Sequence, residues 1–136
     1  QMTPQGLANT CTGLALLGAP DGTWMGSVSA QVSRTVRRWS AEEVRTDLPV
    51  VIWAHARMGV RSAELAGVAA THLGRVLGGL SGWSVLALLG SLPEVGVCRQ
   101  PEHDGLLRRL DGERAKRGLR AEDVQPAMRA GPTAWH

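Results

Sequence analysis

A twelve-residue block that closes on glycine recurs along this chain, and no other feature constrains the fold as much. Leu7-Ala8-Asn9-Thr10-Cys11-Thr12-Gly13-Leu14-Ala15-Leu16-Leu17-Gly18 returns in outline as Leu48-Pro49-Val50-Val51-Ile52-Trp53-Ala54-His55-Ala56-Arg57-Met58-Gly59. A fainter copy runs from Val85 to Gly96. The closing glycines Gly18, Gly59 and Gly96 are 41 and 37 residues apart. Self-similarity at this period marks stacked helical hairpins, because one hairpin cannot bury its apolar face alone. Such arrays bind along an extended face, so the ligand to look for is a long one.

The expected fold is all-α, an α-solenoid of about three helix-turn-helix repeats. The units fall at roughly 3–39, 40–80 and 81–119, with a partial fourth at 120–136. Thr3 can cap a first helix and Pro4 suits its first turn. Leu7, Cys11, Leu14 and Leu17 follow at helical spacing, and Gly18-Ala19-Pro20-Asp21-Gly22 is a stop and a turn. A second helix is expected over 23–38, with Trp24, Val28, Val32 and Val36 on one apolar stripe. Ser40-Ala41-Glu42-Glu43 is a capping box. Pro49 removes a donor from the helix that the box starts, so a kink or break is expected near Asp47-Leu48. Ser62 can cap the next helix, whose apolar face is Leu65, Ala69, Leu73, Val76, Leu77 and Leu80. Ser81 or Ser84 opens the third unit. Its second helix is read from Pro101 to Leu110, with Asp111-Gly112 and Gly118 as interruptions. Helix over 121–130 would begin a fourth unit, limited by Pro126.

Glycines inside these helices each disfavour the helix by about 1 kcal/mol relative to alanine, so packing on neighbours must supply most of the stability. At 136 residues and 43% apolar, the chain is long and apolar enough for a core. Cys11 and Cys98 make no framework and read as small buried residues in a reducing compartment. No segment reads as a membrane span or secretory signal. The first residue is Gln, which leaves open a fragment or a processed product, and with it a removed targeting peptide.

The net charge of +3 permits nucleic-acid contact without demanding it. Fourteen of the fifteen basic residues are Arg, which a GC-rich coding source would also produce. Arg34, Arg37 and Arg38 form a basic end to the second helix that could clamp phosphate bidentately or complement the helix dipole. Arg108, Arg109, Arg114, Lys116 and Arg117 form a second cluster. Asp111 and Glu113 lie among them, so a self-neutralising solvated face is the alternative. Arg57 and Arg61 flank a turn and could line a groove edge. Trp24 and Trp53 fall on apolar stripes and read as core, while Trp39 is a candidate surface contact. His55, His72, His103 and His136 lack metal-ligand spacing, and no nucleophile elbow or phosphate-binding glycine loop is present. The run from Asp47 to His55 resembles the strand before an oxyanion hole in α/β hydrolases, but Ala56-Arg57-Met58 stands where glycines should follow. No cofactor, metal or small-molecule substrate is expected, and no catalytic role is assigned.

The first block resembles the signature helix of octotricopeptide repeats, units of about 38 residues running roughly Leu-Ala-Asn-x-x-Trp-Ala-x-Ala-x-Leu-Gly. The second copy supplies Trp53, Ala54 and Ala56. Pro20-Asp21-Gly22-Thr23-Trp24 is similar to the proline-led junction ending in Trp that opens the family's second helix, and Pro132-Thr133-Ala134-Trp135 echoes it. Trp is replaced at Thr12 and Gly90, Asn is replaced at Val50 and Ala87, and Pro49 intrudes. The resemblance implies an RNA-binding α-solenoid of chloroplasts or mitochondria acting in transcript stability, processing or translation. It also admits a structural component of an organellar ribosome that holds ribosomal RNA, with ribosomal proteins as further partners. The competing reading is a protein-binding helical scaffold.

Overall fold

A computed structural model describes residues 2–18, 22–96 and 101–132. Among them the chain is all-α, with no strand. The helices are α1 (Pro4–Leu17), α2 (Gly22–Thr35), α3 (Ala41–Arg57), α4 (Ala63–His72), α5 (Gly82–Val95), α6 (Pro101–Lys116) and α7 (Val124–Ala130). Short 3-10 turns cover Val36–Arg38, Leu73–Arg75, Leu77–Gly79 and Ala121–Asp123.

Local chemistry sets these ends. Thr3 Oγ1 accepts from Gly6 N–H at 3.0 Å, and Ser62 Oγ accepts from Leu65 N–H at 3.1 Å. Ser40 and Glu43 close the expected capping box reciprocally, and Ser81, not Ser84, caps α5. Each cap satisfies donors that a helix start leaves unpaired. The glycines that define the sequence period stop α1, α3 and α5 with positive φ values of 66°, 71° and 121° at Gly18, Gly59 and Gly96. Residues with a Cβ rarely adopt this conformation, which is why the period reads as glycine.

The helices pack in two rows. In one row α1 contacts α3, α3 contacts α5 and α5 contacts α7. In the other, α2 contacts α4 and α4 contacts α6, with α5 against α6 joining the rows. One core runs through both rows. Leu7, Leu48 and Val85 occupy the same place in successive blocks, and all three are buried.

Three sequence expectations need correction. Helix α3 runs unbroken through Pro49, and the segment from Asp47 to His55 is helix, not strand. Pro49 cannot donate, but Leu48, Pro49, Val51 and Ile52 are all buried, and packing against α1 and α5 offsets the lost bond. Helix α6 continues through Asp111-Gly112 to Lys116, and the chain turns only at Gly118. Helix α4 stops at His72, sooner than its apolar face implied, and Leu73, Val76, Leu77 and Leu80 are buried from 3-10 turns instead. Pro126 sits in the first turn of α7, where no intrahelical donor is needed.

Trp53 and Trp83 join α3 to α5 edge to face, with ring centroids 6.0 Å apart at 69°. Their indole N–H groups donate to α7, Trp53 to Met128 O at 2.8 Å and Trp83 to Ala127 O at 3.0 Å. A Cβ on Gly90 would overlap Met128 Sδ and lie 2.9 Å from Val124 Cγ1. The absent side chain at Gly90, where the repeat pattern carries Trp53 one unit earlier, therefore lets α7 dock on α5.

Candidate nucleic-acid interface

A groove of about 540 Å³ crosses the row made by α1, α3 and α5 and reaches Pro132 beyond α7. The repeat builds it. Gln5, Thr46 and Trp83 hold one register of successive units, and Asp47 and Ser84 share the adjacent one; all line the groove. Asn9, Thr12, Arg45 and Ser81 add hydrogen-bonding groups, and Ala8, Val50, Gly79 and Pro132 complete a lining of mixed polarity. Gln5 of α1 and Trp83 and Ser84 of α5 lie in the first turns of their helices, the end that favours anions.

Two charges inside this groove escape sequence reasoning. Arg45 is half-buried, and its stem crosses the backbone at Gly79, where a Cβ would lie 2.5 Å from Arg45 Cδ. Asp47 is 8% exposed. Neither makes a hydrogen bond or ion pair with a described residue, although both face the same groove. Burial pushes the Asp47 carboxyl up to about 6, with Glu43 and Glu42 adding like-charge repulsion. Those acids line a smaller recess with Gln5, Thr46 and Asp47. They belong to the first turn of α3, which at 17 residues is longer than the 14 of α1 and α5.

The ten cations singled out from the sequence are not brought together. Arg34, Arg37 and Arg38 are exposed and make no hydrogen bond or ion pair with a described residue. Arg37 and Arg38 lie in the 3-10 turn that feeds Ser40 and the start of α3. Gln31 donates to Met2 O at 2.8 Å, which ties the second half of α2 to the start of α1. None of the three lines the groove, and Arg37 lines a separate recess between α2 and α4 with Ser33, Glu64 and Thr71. Arg61 and Lys116 are also exposed.

Four others serve the fold. Arg57 lies 5.8 Å over the Trp53 ring and donates to the Arg129 carbonyl at 3.3 Å, a cation at the C-terminus of α7. Arg109 donates to Gly74 O at 2.9 Å. Arg114 pairs with Asp111 at 2.8 Å and donates to Leu119 O at 2.7 Å. Arg117 pairs with Glu113 and donates to the carbonyls of Leu80, Leu77 and Gly78. Those carbonyls belong to the tight turn after α4, where helical partners have run out, and the planar guanidinium satisfies several at once. Arg108 is exposed on α6.

The remaining candidates are structural. His55 is buried, with Nε2 2.9 Å from Ser29 Oγ and Nδ1 2.8 Å from Val51 O, and burial lowers its pKa. His72 meets Arg75 through Nδ1 at 2.6 Å; burial lowers its pKa, and the guanidinium adds to the effect. Burial pushes the Cys11 thiol up to about 12, which leaves it unreactive. Trp24 is half-buried against the core, and Trp39, also half-buried, donates from Nε1 to Thr35 Oγ1. Cys98, Trp135 and His136 lie outside the described residues. Among the described residues no group of His, Cys, Asp and Glu could hold a metal ion, and no helix is long and apolar enough to cross a membrane.

Comparison with protein-family models, with curated proteins and with solved structures returns no match.

Proposed function

We propose that this chain is an α-solenoid segment that holds single-stranded RNA across the groove of α1, α3 and α5. One observation carries the reading. The groove draws on the same register positions of successive units, and beside Ala8, Val50, Trp83 and Pro132 it presents the amides of Gln5 and Asn9, the hydroxyls of Thr12, Thr46 and Ser84 and the unpaired guanidinium of Arg45. A ligand that repeats along its length suits such a site. Arg45 within the groove supplies a phosphate contact, the exposed Arg34, Arg37 and Arg38 on the α2 side add positive field, and the polar groups of the groove meet bases and sugars. The resemblance of the first two blocks to octotricopeptide repeats supports the same ligand, and it alone supports an organellar setting, on a transcript or on ribosomal RNA.

A second reading, a scaffold for a protein segment, draws on Glu42, Glu43 and Asp47 at the groove, which would favour a basic peptide. Fluorescence anisotropy with a labelled mixed-sequence RNA separates the two. RNA binding is expected to weaken linearly in log affinity against log salt, since phosphate contacts release counterions. Replacing Arg34, Arg37 and Arg38 together with Ala is expected to weaken binding about tenfold and lower the salt slope by roughly 2. Absent or salt-insensitive RNA binding, with saturable binding of basic peptides, would overturn the RNA reading.

A further inference from the structure

We infer that Asp47 makes the groove selective for guanine at one position of the bound strand. The inference rests on the RNA reading and adds to it the base that this place accepts.

Asp47 is 8% exposed as a residue, and its carboxylate, which keeps access to the groove, has no protein partner among the described residues. The neighbouring unit offers no cation to meet it: the facing positions are Ser81 and Ser84. Arg45, on the same helix, lies across Gly79 and leaves Asp47 unpaired. Donors that replace its water can therefore come from a ligand lying in the groove.

Carboxylate chemistry narrows the choice among RNA groups. An ionised carboxylate only accepts hydrogen bonds and takes two parallel donors best. Phosphate is repelled. Guanine presents N1–H and the 2-amino group side by side on its Watson–Crick edge. Adenine and cytosine each place a ring nitrogen lone pair beside their amino group, which would face the second carboxylate oxygen. Uracil flanks its one N–H with carbonyls. Single-stranded RNA exposes these edges. Arg45 lines the same groove and offers a phosphate contact to the strand. Asn9 and Thr12 from α1 close the opposite side.

The test uses the full chain and short labelled oligouridines carrying one central guanine, inosine or adenine. The guanine strand is expected to bind about tenfold tighter than the adenine strand, the usual discrimination of a good bidentate pair. Inosine keeps N1–H but lacks the 2-amino group and should fall between them. Asp47→Asn offers one acceptor and one misplaced donor, and should abolish the preference for guanine over adenine. A thermal melt confirms that this variant is folded, and Asp47→Ala gives an independent second variant. Equal binding of the three strands overturns the guanine assignment while leaving RNA binding intact. So does a guanine preference that survives both variants. Equal binding combined with displacement by an arginine-bearing peptide assigns the recess to a protein side chain and also overturns it. Failure to bind any RNA overturns the inference together with the function it rests on.

Discussion

Replacing Trp53 with Ala is expected to cost about 3–5 kcal/mol of folding stability, the range for truncating a fully buried large aromatic. Trp53 is wholly buried in α3, meets Trp83 of α5 edge to face, and donates to Met128 O in α7. Its ring also lies beside the Gly131 backbone, where a Cβ would stand 3.2 Å from Trp53 Cζ2. Alanine leaves a cavity among three helices and leaves the Met128 carbonyl with only the long 3.5 Å contact from Arg57. The loss should concentrate on α7, seven residues held mainly by α5 and these two indoles. Urea unfolding measures the total, and hydrogen exchange should show α7 opening first. Trp53→Phe keeps most of the volume and removes the N–H, so a smaller loss of about 1–2 kcal/mol is expected. A loss below about 1 kcal/mol for Trp53→Ala would mean that α7 does not depend on this contact.

Replacing Asp47 with Asn is expected to stabilise the protein by about 1 kcal/mol at pH 7, solvent at the groove screening much of the effect, and to have little effect near pH 3. The sign follows from linkage. The folded state raises the Asp47 carboxyl from 3.8 to about 6, so the folded state holds its proton more tightly than the unfolded state. Stability from this group is therefore highest below 3.8, falls as pH rises through the interval to about 6, and stays reduced above it. Asparagine removes the ionisation and its repulsion by Glu42 and Glu43. His55 and His72 act in the opposite direction, since both have lowered pKa values and lose stability as pH falls below about 6.5. They are present in both proteins, so the difference between melting curves across pH isolates Asp47. A variant no more stable than the parent at pH 7 would mean that the carboxylate already has compensation. A stability cost carried at a groove residue is what a binding role entails, because sites keep groups that the fold alone would discard.

The helices were largely legible from the sequence because their ends are set by local chemistry. Thr3, Ser40, Ser62 and Ser81 cap as a local reading expects, and the glycines of the repeat mark left-handed stops. No break occurs at Pro49, because its cost is local while its compensation, burial between α1 and α5, comes from chain far away. None occurs at Asp111-Gly112 for a related reason: one glycine disfavours a helix by only about 1 kcal/mol, and Leu106 and Leu110 anchor α6 to the core. The candidate interface was less legible. Charge density drew attention to Arg57, Arg109, Arg114 and Arg117, yet three of these satisfy carbonyls 35 or more residues away and the fourth is held by Asp111 and Leu119 within its own turn. Nothing in the local pattern signals such distant acceptors. Arg45 and Asp47 look like ordinary polar positions on a helix. Only the fold brings both to one groove beside α1 and the turn at Gly79, and leaves both without partners.

The central claim is that RNA lies across the row of α1, α3 and α5. The most direct measurement is photocrosslinking of a single-stranded RNA carrying 4-thiouridine to the full chain, with crosslinked peptides mapped by mass spectrometry. Attachment within the stretches around Gln5–Thr12, Arg45–Val50 and Gly79–Ser84 is the predicted result. Attachment confined to the recess between α2 and α4, around Ser33, Arg37 and Thr71, or to no part of the chain, would contradict it.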